Sequence, residues 1–124
     1  MPVDPYKISL VVPVFNENAT IASLLQTINQ QTRLPDEVIF VDGGSTDNTV
    51  PIIKKLTEND SRYKVIEAGR AMPGKARNIG AREAANDWIA FTDAGIKLDP
   101  KWLESLVVKA KEDPEVSIVY GNYH

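Results

Sequence analysis

Val38-Ile39-Phe40-Val41-Asp42-Gly43-Gly44-Ser45 is the stretch that decides the fold. Its apolar, mostly β-branched first half reads as a buried strand running from Glu37 to Val41. The run then stops on an acid and two glycines. Packing alone gives a buried strand no reason to end on a carboxylate. Open α/β sheets do, because they bind ligands just beyond the carboxyl ends of their strands. Ser45-Thr46-Asp47-Asn48-Thr49 follows and supplies N-caps, Asp47 foremost, for a helix carrying Val50, Ile53 and Leu56 on one face. Pro51 fits only the first turn of that helix, which sets its start close to Asp47.

The same order of signals recurs on both sides. Upstream, Lys7 to Val14 reads as a first strand that Pro13, lacking an N–H, takes out of sheet pairing. Ile21, Leu24, Leu25 and Ile28 then recur at the spacing of one helical face, with Asn16 or Asn18 as the cap. Downstream come a short strand from Lys64 to Ala68 and a loop, Gly69-Arg70-Ala71-Met72-Pro73-Gly74-Lys75. A helix over about Lys75 to Ala85 carries a small-residue face of Ala76, Ile79, Gly80 and Ala84. Small residues let a helix approach a sheet closely, and that approach offsets the cost of a helical glycine, about 1 kcal/mol relative to alanine.

Trp88-Ile89-Ala90-Phe91-Thr92-Asp93-Ala94-Gly95 repeats the decisive pattern, a strand that ends on an acid and a glycine. Asp99-Pro100 caps and starts a last helix with Leu103, Leu106, Val107 and Ala110 inward. Val116 to Tyr120 reads as a fifth strand. Strands alternating with helices imply βαβ units, a mainly parallel sheet and helices on both faces, a three-layer α/β/α arrangement. Periodicity leaves the strand order open.

The 124 residues make a single domain, with 43% hydrophobic and 25% charged residues, ordinary for a globular protein. A net charge of −3 gives no electrostatic basis for nucleic-acid binding. Cysteine is absent, which excludes disulfides and thiol catalysis and suits a reducing, cytoplasmic setting. The one histidine is His124, so no internal imidazole serves as base or ligand. Every apolar run falls well short of the ~20 residues that span a bilayer.

Four segments gather where such a fold holds a ligand. Phe15, Asn16 and Glu17 after the first strand offer an aromatic face, an amide and an acid, a set suited to a nucleobase. After the second strand, Asp42 reads as a binding acid, and Gly43 and Gly44 let backbone approach a ligand closely, in front of a helix whose free N–H groups point forward. In the third segment Lys75 stands at a helix start, where the dipole disfavours a cation unless an anion binds nearby. Arg77 presents a fork suited to phosphate or base edges. Arg70 and Arg82 read as solvated surface charges. In the fourth, Asp93 is a hard oxygen ligand for Mg²⁺ or Mn²⁺, ions that also take diphosphate oxygens. Asp99 reads as a helix cap.

Taken in order, these segments resemble family 2 glycosyltransferases of the GT-A fold, over Ile8 to about Leu106. The residues that carry the likeness are Leu10 to Glu17, Phe40 to Thr49, Gly74 to Gly80 and Ile89 to Gly95. The resemblance implies that the chain is the Rossmann-like, donor-binding half of such a fold and takes a nucleotide-diphosphate sugar. Pro13, Val14, Phe15, Asn16, Glu17, Asp42, Gly43, Gly44 and Ser45 would hold the nucleoside. Lys75, Arg77, Asn78, Asp93 and Ala94 would bound the same pocket. Asp93 would be the first acid of the family's Asp-x-Asp motif and the metal ligand. Gly43 stands where the family often has a second acid on the base, and Gly95 stands where the second acid of the motif is expected.

In the family the acceptor-binding half and the general base lie beyond the point matching His124. The expectation is therefore a chain that binds donor but transfers little, and that self-associates through the surface its missing half would cover. Membrane contact would be peripheral, through segments this sequence lacks. The rival readings are a non-catalytic binding or interaction domain that keeps the fold, and a nucleotidyltransferase. The latter wants a glycine-rich basic loop after the first strand, where Phe15-Asn16-Glu17 stands instead.

Overall fold

The computed structural model describes residues 7–112 and the backbone of 118–120. His124 and the expected start of the fifth strand at Val116 lie outside the described residues. Strands β1 (Ile8–Val14), β2 (Glu37–Asp42), β3 (Tyr63–Glu67), β4 (Trp88–Phe91) and β5 (Ile118–Tyr120) alternate with helices α1 (Ile21–Asn29), α2 (Thr49–Thr57), α3 (Pro73–Glu83) and α4 (Trp102–Glu112). All strand pairs are parallel, in the order β3-β2-β1-β4-β5. The order reverses at β1, whose neighbours are β2 on one side and β4 on the other. That is the switch point at which doubly wound sheets open a crevice.

Side chains alternate across the sheet as the pleat requires. Leu10, Val12, Val38, Phe40 and Ala90 face a core shared with Ile21, Leu24, Leu25 and Ile28 of α1, Ile53 of α2 and Leu103, Leu106 and Val107 of α4. Val11, Ile39, Val41 and Phe91 face the other way, onto Ala76 and Ile79 of α3. The small-residue face of α3 has a steric basis at Gly80. A Cβ there would lie 2.4 Å from Val11 Cγ1 and 3.1 Å from Val41 Cγ2. No other residue lets α3 sit this low on the sheet.

Three expectations need correction. Pro13 does not leave the sheet: it pairs in register with Val41, and β1 runs on to Val14. Val14's carbonyl accepts from Gly43 N–H on the β2 side, while Val11's carbonyl accepts from Thr92 N–H on the β4 side. Pro13 therefore turns its missing N–H toward β4, which has already ended at Phe91 opposite Val11. Neither Asn16 nor Asn18 caps α1: the N-cap position is Thr20, without a side-chain capping bond. Leu56, expected inward, is 56% exposed; the buried residues of α2 are Thr49, Val50 and Ile53.

At the amino end of the sheet a buried polar cluster went unread in the sequence. Ser9 Oγ donates to Glu37 Oε1 at 2.7 Å, Ala85 N–H donates to the same oxygen at 2.9 Å, and Lys64 Nζ donates to Glu37 Oε2. Asn86 Nδ2 donates to Ser9 Oγ at 3.1 Å. The cluster ties β1, β2 and β3 to the turn after α3. Burial pushes the Glu37 carboxyl up, but the hydrogen bonds from Lys64, Ala85 and Ser9 outweigh it and hold the group below its ordinary value.

Candidate functional site

At the opposite, carboxyl edge the loops after β1, β2, β3 and β4 enclose a cleft of about 1160 Å³. The first two loops are laced together. Asn16, in the left-handed region at φ 51°, donates its N–H to Ser45 Oγ at 2.9 Å and accepts from Thr46 N–H at 2.8 Å. Glu17 N–H donates to Thr49 Oγ1 at 2.7 Å, and Asn18 N–H to Asp47 Oδ2 at 3.2 Å. Asp47 Oδ1 accepts from Thr49 N–H at 2.9 Å and from the Thr49 hydroxyl, so this carboxylate braces the start of α2; the N-cap position itself is Asn48, without a side-chain capping bond, and not Asp47 as expected. Slight desolvation raises its pKa, but the bonds from Thr49 and Asn18 prevail and lower it.

The loop after β3 leans on the second loop, backbone to backbone. A Cβ on Gly43 would stand 2.6 Å from the Ala71 carbonyl oxygen, and one on Gly44, at φ 96°, 3.4 Å from the Gly69 carbonyl carbon. The adjacent glycines are thus used on a neighbouring loop as well as on the cleft. Asp42 is buried, and its carboxylate accepts from the N–H groups of Gly44 and Ser45, each at 3.1 Å.

Of the residues expected at a site, Pro13, Val14, Phe15, Glu17, Gly43, Gly44, Lys75, Arg77, Asp93 and Ala94 line the cleft. Asn16, Asp42 and Ser45 stand behind it as loop supports, and Asn78 is exposed on α3 away from its wall. Arg70 was expected on open surface yet lines the cleft with Thr46, Ala71 and Met72. Its signal was available: Arg70, Lys75 and Arg77 fall within one short loop and helix start. Asp99 caps the chain entering α4, accepting from Lys101 N–H at 2.8 Å.

Charge in the cleft is mixed. Arg70, Lys75 and Arg77 face it with Glu17 and Asp93, three cations to two acids. Arg77 Nη2 donates to Asp93 Oδ1 at 3.0 Å, and the Asp93 side chain stays 44% exposed. Arg77 Nε is buried without a hydrogen-bond partner. Among the described residues no three His, Cys, Asp or Glu side chains converge. Asp93 still meets the demand of a hard cation that takes one or two carboxylates and fills its shell with phosphate oxygens and water. Phe15, 55% exposed, adds an apolar face to the same cleft.

A parallel sheet with a switch-point crevice at the carboxyl ends of its strands is the architecture of a doubly wound α/β protein, and that crevice is where such sheets hold ligands. The comparisons make it specific. The chain matches Glycosyl transferase family 2 over residues 9–124, and it belongs to that family. Glycosyltransferase GlyA of Streptococcus pneumoniae serotype 4 is 32% identical over 118 residues, 95% of this chain and 17% of the relative. An uncharacterized glycosyltransferase of Escherichia coli, YibD, is 32% identical over 107 residues, 86% of this chain and 31% of the relative. Among solved structures, Pyrobaculum calidifontis mannosyltransferase PcManGT in complex with GDP-Man and Mn²⁺ superposes with a TM-score of 0.77 at 28% identity, covering 90% of this chain and 34% of that one. S. aureus TarS 1-349 in complex with UDP-GlcNAc superposes at 0.74 with 30% identity, covering 86% and 31%. The fold is that of GT-A glycosyltransferases. The chain spans about a third or less of each of these relatives' length. No helix among the described residues is long and apolar enough to cross a membrane.

Proposed function

We propose that this chain is the donor-binding part of a glycosyltransferase that moves a sugar from a nucleotide diphosphate to an acceptor hydroxyl. One observation carries the reading: an apolar aromatic face, Phe15, and a cluster of cations, Arg70, Lys75 and Arg77, share one cleft at the sheet's switch point. A nucleoside diphosphate has that polarity, a flat base at one end and two phosphates at the other. The relatives that share the fold carry UDP-GlcNAc and GDP-Man in their solved complexes.

In this reading the base stacks on Phe15, and the backbone of Gly43 and Gly44 walls the nucleoside. Lys75 and Arg77 face the diphosphate. Asn16, Asp42 and Ser45 act one step back by holding the loops. Asp93 would hold a Mg²⁺ or Mn²⁺ ion, with phosphate oxygens and water completing its shell. When bound, such an ion supplies neutralising charge to a leaving diphosphate. The acceptor site and the general base are assigned to none of these 124 residues. We place the protein in the cytoplasm, a reading the cysteine-free composition supports.

Thermal unfolding with UDP-, GDP- and dTDP-sugars, with and without Mn²⁺, tests the proposal. Ligand at ~100 times Kd stabilises by about 2.7 kcal/mol. The absence of any shift with every nucleotide rejects donor binding and favours the rival, a non-catalytic domain that has kept the fold; Gly95 in place of a second acid is the observation on its side. The chain by itself is expected to show little transfer. Ordinary turnover by these 124 residues, measured as sugar release or transfer, overturns that part.

A further inference from the structure

We propose that Arg77 is a cation held in reserve on Asp93: it neutralises that carboxylate while no donor is bound, and moves onto the donor diphosphate when a divalent ion takes the carboxylate. The inference rests on the nucleotide-sugar reading above and assigns Arg77 a part in the order of binding.

Arg77 Nη2 already donates to Asp93 Oδ1 at 3.0 Å, so the oxygen a metal would use is engaged by a side chain of the protein itself. A guanidinium and a divalent ion repel one another and compete for the same carboxylate oxygen. A metal on Asp93 Oδ1 therefore weakens the hold of that oxygen on Arg77. Arg77 is also incompletely satisfied where it stands. Its Nε is buried without a partner, and an orphaned donor of a charged group is costly. A diphosphate entering the cleft brings acceptor oxygens in the geometry the guanidinium fork prefers. It also brings the oxygens that complete a metal shell around Asp93. Lys75 and Arg70, on the same wall, are exposed cations with no such carboxylate pairing among the described residues, and they are available to phosphate from the start. Without metal, nucleotide must compete with Asp93 for Arg77. With metal, that competition weakens.

Calorimetric titration of UDP and GDP tests this in EDTA and in saturating Mn²⁺, on the protein and on Asp93→Asn, Arg77→Gln and the double variant. In EDTA, Asp93→Asn should bind the better nucleotide about two- to fivefold more tightly than the parent, the worth of a partly exposed ion pair released. It should also lose the Mn²⁺ enhancement. Arg77→Gln should bind more weakly in EDTA, and in the double variant the gain from Asp93→Asn should vanish. An Asp93→Asn variant that binds no tighter than the parent in EDTA overturns the reserve role. So does a gain that survives in the double variant, since it then comes from removing negative charge and not from freeing Arg77. NMR gives a second readout on the unaltered protein: the Arg77 Nε–H resonance should shift when nucleotide and Mg²⁺ are added together, and an unmoved resonance on a bound complex overturns the proposal. Should the parent bind neither nucleotide in either buffer, the donor-binding reading falls first and takes this one with it. Binding by the parent with no gain in Asp93→Asn sinks the reserve role alone.

Discussion

The two ends of one sheet carry two acid–base pairs that have been finished differently. At the amino end Glu37, its side chain only 7% exposed, receives Lys64, Ser9 and the Ala85 N–H, and both of its oxygens are engaged. At the carboxyl end Asp93 stays 44% exposed beside an arginine whose Nε has no partner. The first pair is closed and belongs to the fold. The second is half-exposed on the cleft and includes a buried donor, Arg77 Nε, with no acceptor among the described residues. An acid at a sheet edge is therefore informative through its exposure and the unmet donors of its partner, as much as through what it touches.

Substitutions should separate the two pairs. Glu37→Ala should have the largest effect on stability, a loss of about 2–3 kcal/mol in denaturant unfolding, because it removes the acceptor of the buried Ser9 hydroxyl, of the Ala85 N–H and of the half-exposed Lys64 at once. The folded fraction should still bind nucleotide as the parent does; loss of binding in the folded fraction would mean that the two ends are coupled. Gly80→Ala comes next, at about 1–2 kcal/mol. The new Cβ meets Val11 at 2.4 Å, and overpacking of about 1–3 kcal/mol exceeds the helix-propensity gain of about 1 kcal/mol. A stabilised Gly80→Ala would mean that α3 can lift off the sheet without penalty.

Acid should distinguish the pairs as well. Glu37's folded pKa lies below its ordinary value near 4.5, so its contribution is present above that value and is lost as pH falls through the folded pKa. Asp60, held down chiefly by Arg62, and Asp47 shift the same way. Unfolding followed from pH 7 to pH 3 should show stability falling below about 4.5, with a shallower fall in Glu37→Gln. An unchanged slope in that variant would assign the acid limb to the other carboxylates. The smallest stability effect belongs to Arg77→Gln, less than about 1 kcal/mol for a partly exposed pair. A larger loss would make Arg77–Asp93 a structural pair like its counterpart.

Legibility in the sequence followed the same division. The strands and helices were plain because β-branched runs and 3.6-residue periodicity are local signals. The small face of α3 was readable, since a glycine inside a helix needs a reason and Val11 supplies it. Strand order was not legible, because pairing is non-local and several orders satisfy one pattern. Glu37 looked like any polar residue at a strand start, since Ser9, Lys64, Ala85 and Asn86 meet it only after the chain has folded. Asp42 and Asp93 ended their strands alike, yet Asp42 turns inward to hold Gly44 and Ser45 while Asp93 faces the cleft. Arg70 reads as a surface charge when taken singly, since a loop has no periodicity to place a side chain; only its nearness in sequence to Lys75 and Arg77 points to the cleft.

Pro13 leaves one more consequence. β1 continues to Val14 while β4 stops opposite Val11. The strand ends at the floor of the cleft are therefore staggered by three residues, about 10 Å at the rise of a strand. Phe15 follows directly on the longer strand, and Asp93 comes two residues after the shorter one. In the donor-binding reading proposed above, this stagger would set how far the stacking face for a base lies from the carboxylate, a spacing fixed by hydrogen-bonded backbone and not by any side chain.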